Sequence, residues 1–152
     1  MSVQTTAHRH ADKLLFFGIS LFLLGLLIGL CIPLMPNPRM GLSAHLEGIM
    51  NGLFLLVLGL IWHKIAVSDR WRGAAYWLAL YGSFANLVAV TLAAITGGGA
   101  MMPIAGGKVG SAAVESVVSF LLVSLSLAMI AVCAIALAGL YHFLRIPAQP
   151  NT

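Results

Sequence analysis

The stretch that decides the fold is residues 14–35, LLFFGISLFLLGLLIGLCIPLM, which contains no charged residue. It is followed at once by Pro36, Asn37 and Pro38, residues that end a helix or begin a new one. The hydrocarbon core of a bilayer is about 30 Å thick and needs roughly 20 helical residues to cross it. The stretch is longer than the apolar region of a signal peptide and lacks a small-residue cleavage site. It therefore predicts a transmembrane helix.

The rest of the chain has the same character. Of its 152 residues, 61% are hydrophobic and only 8% are charged, with a mean hydropathy of +1.02. That leaves too little polar surface to cover a water-soluble globule. Apolar segments at about 13–35, 43–66, 72–95 and 113–144 fill most of the length. The sequence predicts an all-α integral membrane protein, a four-helix transmembrane bundle forming a single domain over residues 1–152.

The basic residues predict how the bundle is oriented. Six lie in the predicted termini and in the loop after the second helix, and two lie in the other loops: Arg9, Lys13, Lys64, Arg70, Arg72 and Arg145 against Arg39 and Lys108. Cytoplasmic loops carry the excess of Lys and Arg, so both termini are expected in the cytoplasm, with the protein in the inner (plasma) membrane. The net charge of +4 follows from this topology, and no basic and aromatic pattern indicates nucleic-acid binding.

Polar residues inside the predicted spans indicate a site. The charge-free part of the second span, residues 48–62, covers only about 22 Å, so this helix must also include His45 and Glu47. Ionisable groups at membrane depth are functional candidates by default. The predicted topology brings six polar residues into the same outer half of the bundle: His45, Glu47, Asn51, Asn86, Thr91 and Glu115.

A glycine stripe accompanies His45. At 100° per residue, Gly41, His45, Gly48 and Gly52 share one face of the second helix. A face without side chains accommodates a planar macrocycle bound by the imidazole. The alternative is close helix packing, as expected for Gly25-x-x-x-Gly29 in the first helix.

The other polar residues also have structural explanations. Glu47 and Glu115 could be stabilised by the start of their own helices, and Asn51 and Asn86 could bond neighbouring helices. His63 and His142 could form a bis-histidine haem site or serve as interfacial anchors. Cys31 and Cys133 show no spacing for covalent haem attachment.

Three segments carry a resemblance to a known family. Residues 37–62 (NPRMGLSAHLEGIMNGLFLLVLGLIW), 78–94 (LALYGSFANLVAVTLAA) and 120–129 (FLLVSLSLAM) resemble the hydroxylaminobenzene mutases. The second helix also shares the spacing of His45 and Asn51 with styrene oxide isomerase, a more distant four-helix membrane isomerase.

The resemblance implies a cofactor and an assembly. In styrene oxide isomerase the corresponding histidine is the axial ligand of a haem b that lies between the protomers of a trimer, and the asparagine is in the active site. Carried over, His45 would be the ligand of the haem iron, with Gly48 and Gly52 beside the cofactor. Asn51 would orient the substrate, and the protein would be a homo-oligomer, a trimer.

The resemblance also narrows the substrate. The epoxide isomerase uses an acidic residue and a tyrosine around the asparagine of its third helix, and those positions here are Gly82 and Val90, with Tyr81 beside the first. This departure argues against an epoxide and leaves Tyr81 and Asn86 as candidate site residues.

The activity implied is that of an isomerase converting aryl hydroxylamines, such as hydroxylaminobenzene, to 2-aminophenols. Haem b would act as a Lewis acid toward the N–OH group. Glu47 or Glu115 would donate a proton, with Glu47 favoured. The small aromatic substrate would be drawn from membrane lipid. Two other functions stay open: a b-type electron carrier with two axial histidines, and a small proton-coupled exporter that uses an intramembrane glutamate.

Overall fold

A computed structural model of the chain describes residues 3–106 and 109–145, and its long elements are four helices. They are α1 (Val3–Cys31), α2 (Pro38–Ile61), α3 (Asp69–Thr96) and α4 (Ala112–Arg145), with short 3-10 turns at Ile32–Leu34, Trp62–Lys64 and Pro103–Ala105. Each of the four is long and apolar enough to cross a membrane. The predicted all-α transmembrane bundle is confirmed, and the protein is a multi-pass membrane protein.

Two backbone hydrogen bonds show how the helices alternate in direction. At one end, the Asn37 amide before α2 donates to the Ala94 carbonyl near the end of α3 (3.1 Å). At the other end, the Ala66 amide after α2 donates to the Gly139 carbonyl near the end of α4 (3.2 Å). We call the end where α1 begins the basal end and the opposite one the distal end. Lys108, predicted on the outer side, lies outside the described residues.

The second helix begins earlier than the apolar pattern alone predicts, at Pro38 and not near Ser43. Asn37 caps it, because its side-chain oxygen accepts the Met40 amide (3.2 Å), and Pro38 occupies the first turn, where its missing N–H leaves no bond unmade. Its 24 residues span about 36 Å, which exceeds the bilayer core. His45 and Glu47 thus follow a complete first turn.

Helices α1 and α2 touch backbone to backbone. A Cβ placed on Gly48 would lie 2.5 Å from the Gly25 Cα, and one placed on Gly52 would lie 2.7 Å from the Phe22 amide nitrogen. Small residues let membrane helices approach this closely, and dispersion contacts then stabilise the pair. The Gly25-x-x-x-Gly29 motif of α1 therefore packs against α2, as predicted.

The buried side chains form two apolar clusters along the bundle. The basal cluster includes Leu14, Leu55, Trp62, Tyr76 and Val132. The distal cluster is built from smaller side chains, including Met40, Ala44, Val90, Ala93 and Val118, with Ala105 contributed by the loop before α4. Along α2, the polar residues Glu47 and Asn51 fall between the two clusters.

Candidate active site

A carboxylate joins two asparagines where α2 meets α3. The Glu47 Oε2 atom accepts a hydrogen bond from Asn51 Nδ2 (3.3 Å), one turn further along α2, and another from Asn86 Nδ2 on α3 (2.6 Å). The spacing of four residues puts Glu47 and Asn51 on the same side of α2, and the crossing of α3 brings Asn86 to them. Three of the predicted site residues therefore form one polar cluster between apolar helices.

The hydrogen bonds fix which way both amides point. A carboxylate oxygen accepts, so Asn51 and Asn86 must both turn their NH2 groups toward Glu47. In the part of the chain that the structure describes, the Oδ1 atoms of both asparagines and the Glu47 Oε1 atom have no hydrogen-bond partner. None of these three atoms is fully buried. Asn51 is 8% exposed and the other two are half-buried. The cluster therefore keeps three hydrogen-bond acceptors open.

His45 is held by the backbone of α1. Its Nδ1 atom lies 2.8 Å from the Gly25 carbonyl oxygen, and its ring lies over Gly29, where a Cβ would come within 2.6 Å of Nδ1. A carbonyl only accepts, so Nδ1 is the donor, and a neutral imidazole in this tautomer has its lone pair on Nε2. Within residues 3–106 and 109–145, Nε2 has no hydrogen-bond partner. Metal-binding histidines commonly have this arrangement, with the second ring nitrogen bonded to a carbonyl or carboxylate.

The glycines of the stripe are occupied by packing. Gly48 and Gly52 face the α1 backbone, and a Cβ on Gly41 would lie 2.7 Å from the Met35 sulfur. The face they form is filled within the protomer, so a planar group does not have room to lie flat against it in this arrangement. Close helix packing, the alternative interpretation of the stripe, accounts for Gly48 and Gly52.

Glu115 lies apart from the cluster and organises a loop. Its carboxylate accepts hydrogen bonds from the backbone amides of Gly99 (3.2 Å), Ala100 (3.3 and 3.4 Å) and Gly110 (2.9 Å). These bonds tie the glycine-rich loop between α3 and α4 to the first turn of α4. Glu115 lies in the first turn of α4, as the structural alternative expected, but it bonds loop amides and not the first amides of its own helix.

Tyr81 and Thr91 also stand apart from Glu47. The Tyr81 hydroxyl lies 2.6 Å from Ser124 Oγ, and Ser124 donates to the Leu121 carbonyl (3.1 Å), so Tyr81 is the donor to Ser124. This bond joins α3 to α4. The adjacent Gly82 packs on Met129. The Thr91 Oγ1 atom is buried and has no partner in the described part of the chain.

The two other candidate histidines lie near the basal end. His63 is exposed in the turn after α2, and His142 is exposed in the last turn of α4. His142 and Trp71 line an apolar groove of about 1050 Å³ beside α4, a position typical of interfacial anchors. No group of three or more His, Cys, Asp or Glu residues is arranged for a metal ion within residues 3–106 and 109–145.

One feature of the site was not predicted from the sequence, namely the Gly25 carbonyl as the partner of His45. The Gly25-x-x-x-Gly29 motif indicates close approach of a second helix. It does not reveal which side chain of that helix will reach the exposed carbonyl, because this depends on the register between α1 and α2.

Comparison with known proteins agrees with the resemblance. The family model described as "SOI: Styrene oxide isomerase" matches residues 10–141. "Hydroxylaminobenzene mutase HabB" from Ectopseudomonas oleovorans is 54% identical over 144 residues, which cover 93% of this chain and 86% of that protein. "Hydroxylaminobenzene mutase HabA" from the same organism is 47% identical over 125 residues, covering 81% and 93%. No solved structure matches the chain significantly. The match over residues 10–141 shows that the chain belongs to the styrene oxide isomerase family.

Proposed function

We propose that this protein rearranges aryl hydroxylamines, with hydroxylaminobenzene as the reference substrate, to 2-aminophenols. The observation that carries the proposal is the 54% identity, over 93% of the chain, to a protein named hydroxylaminobenzene mutase. Membership of this family makes the chain an isomerase. A small aromatic substrate that partitions into lipid suits a site between transmembrane helices.

The reaction needs no oxidant or reductant. The N–O bond of the hydroxylamine breaks, and a C–O bond forms at the ring carbon next to the one that bears nitrogen. That carbon loses its hydrogen as a proton, and the nitrogen gains one, so substrate and product are isomers. The protein must activate the oxygen that leaves nitrogen, orient the substrate and transfer one proton.

His45 is suited to hold a haem b. Its Nδ1 proton is committed to the Gly25 carbonyl, which leaves the Nε2 lone pair for iron. His45 would be the one imidazole that holds the haem. Such a haem, when bound, supplies a Lewis acid for the N–OH oxygen. Because the face at Gly48 and Gly52 is filled by α1, a haem would have to meet this chain at its His45 edge.

The chain's own polar residues divide the remaining work. Asn51 orients the substrate through its free Oδ1 atom, and Asn86 presents a second amide oxygen from α3. Glu47 is the proton-transfer group, because its free Oε1 atom lies in the cluster, whereas the Glu115 carboxylate is occupied by loop amides. The surrounding apolar side chains keep water away from the reacting nitrogen.

We further propose a homo-oligomer, a trimer, in the inner membrane with both termini cytoplasmic. The trimer follows from the family resemblance, in which the cofactor lies between protomers. The orientation follows from the six-to-two distribution of basic residues.

The experiment uses the purified full-length protein in lipid nanodiscs with hydroxylaminobenzene, and 2-aminophenol is quantified by chromatography. His45→Ala should lose both haem absorbance and turnover. Asn51→Ala should keep the haem but turn over slowly, because the loss of an orienting group misplaces the N–O bond of the substrate. Glu47→Gln should keep the haem and slow the proton transfer.

Two matched histidine variants serve as controls. His63→Ala and His142→Ala remove exposed imidazoles at the basal end and should change neither haem nor rate. Full haem occupancy and full turnover in His45→Ala would refute the ligand assignment. A six-coordinate, low-spin haem that depends on His63 and His142 would instead identify an electron carrier.

A further inference from the structure

The polar atoms of the Glu47 cluster that remain free for a ligand are mainly hydrogen-bond acceptors. Each asparagine has committed an N–H group to Glu47 Oε2, at 3.3 Å and 2.6 Å. The atoms left without a partner in the described part of the chain are Asn51 Oδ1, Asn86 Oδ1 and Glu47 Oε1, and all three accept. One amide N–H remains on each asparagine, so acceptors outnumber donors.

The carboxylate also has no cation beside it. Among the described residues, the one ion pair between side chains joins Arg72 and Asp69 at the basal end of the bundle. Glu47 is half-buried in a helix that crosses the membrane, where hydrogen-bond donors from water are scarce. A carboxylate in such surroundings gains most from a neighbour that donates protons into hydrogen bonds.

We propose that the Glu47–Asn51–Asn86 cluster selects substrates by their hydrogen-bond donors, so that aryl compounds bearing N–H or O–H bind and isosteres lacking them do not. A hydroxylamine carries both an N–H and an O–H group. An epoxide oxygen can only accept, so it could use one of the two remaining amide N–H groups but would leave the three open acceptors, Asn51 Oδ1, Asn86 Oδ1 and Glu47 Oε1, without a donor. The cluster thus discriminates against epoxides of similar size. This proposal rests on the proposed function for its identification of the site as the substrate pocket.

The size of the effect follows from hydrogen-bond energies. A hydrogen bond to a charged acceptor is stronger than a neutral one, and a site that leaves a buried polar group unpaired rejects the wrong ligand more strongly than an apolar pocket does. We expect a donor-bearing ligand to bind at least about tenfold more tightly than its isomer without a donor.

The test compares benzyl alcohol with methoxybenzene, two isomers of the same ring size, of which only the alcohol has an O–H group. Equilibrium binding to the holoprotein in nanodiscs is measured by ligand-detected NMR, with protein-free nanodiscs correcting for partition into lipid. Binding does not require turnover. If the alcohol is preferred but hydroxylaminobenzene is not rearranged, the proposed reaction fails while the selectivity stands.

The informative variant is Glu47→Gln. Glutamine keeps one oxygen for the two asparagines and replaces the free Oε1 acceptor by an NH2 donor. The preference should shrink to about twofold or reverse in favour of the ether. The matched control is Ser126→Ala, which removes an exposed hydroxyl bonded to its own helix and should leave the preference unchanged.

Two results would overturn the proposal. One is equal affinity for the two isomers in the unmodified protein, a comparison that needs no variant to fold. The other is a Glu47→Gln protein that keeps the full preference for the alcohol, because the open acceptor would then not be the selective element.

Discussion

Gly48→Ala tests whether the contact between α1 and α2 controls the candidate haem ligand. The new Cβ would lie 2.5 Å from the Gly25 Cα, whereas carbon atoms pack at about 3.5–4.0 Å, so the helices must separate by about 1 Å. The same movement would stretch the bond between His45 Nδ1 and the Gly25 carbonyl, now 2.8 Å, to about 3.8 Å, beyond hydrogen-bonding distance.

The expected loss of stability combines two terms. Overpacking costs about 1–3 kcal/mol, and the lost hydrogen bond adds about 0.5–1.5 kcal/mol, so the free energy of unfolding should fall by about 1.5–4.5 kcal/mol. Steric trapping in bicelles measures this free energy. Nitrogen-15 NMR of the histidines reports whether the His45 proton stays on Nδ1. Haem occupancy should fall with the loss of that tautomer.

Gly73→Ala is the matched control. A Cβ at Gly73, near the start of α3, has no neighbour within 4 Å, so the same substitution there should be neutral or stabilise by up to about 1 kcal/mol. If Gly48→Ala is as stable as Gly73→Ala and keeps the Nδ1 proton, the backbone contact does not govern His45 and this reasoning is wrong.

Three further predictions concern topology, assembly and the distal loop. After Cys31 and Cys133 are replaced, a cysteine at position 68 should be labelled only from the cytoplasm and one at position 108 only from outside; the reverse pattern would contradict the charge bias. Native mass spectrometry in mild detergent should give a trimer, and monomer alone would argue against a shared cofactor. Glu115→Ala should speed hydrogen exchange at the Gly99 and Gly110 amides while Glu115→Gln, which keeps an acceptor, has a smaller effect; unchanged exchange in both would refute the loop assignment.

The spans could be predicted because lipid imposes a simple rule on composition. A charge-free run such as residues 14–35 leaves no alternative to a transmembrane helix. The start of α2 was less accessible to a hydropathy argument, because Arg39 and Ser43 interrupt the apolar pattern. The signal was nevertheless present in the sequence, as the pair Asn37 and Pro38 combines a good N-cap with a good first helical residue.

Some contacts of the candidate site could also be predicted from the sequence, and others could not. The contact between Glu47 and Asn51 follows from a spacing of four on one helix. Placing Asn86 at the same membrane depth as Glu47 required the up-and-down topology of the helices. The sequence predicted that topology, and with it the shared depth. The partners of Glu115 and Tyr81 could not be derived, because a glycine-rich loop and the rotation of α4 set them. Both residues were candidates from their positions on the predicted helices, but Glu115 bonds loop amides and Tyr81 bonds Ser124.

The bond from His45 to Gly25 has a consequence for how this protein can vary. Where a histidine ligand takes its orientation from a neighbouring carboxylate, a single codon change can delete that partner. Here the acceptor is a main-chain carbonyl, and every residue that could replace Gly25 still carries one. A substitution at Gly25 can therefore change this hydrogen bond only indirectly, by altering the distance between the two helices. The hydrogen bond is therefore encoded by the spacing of the glycines that set the helix distance. A sequence search for a polar side chain that pairs with His45 would overlook it.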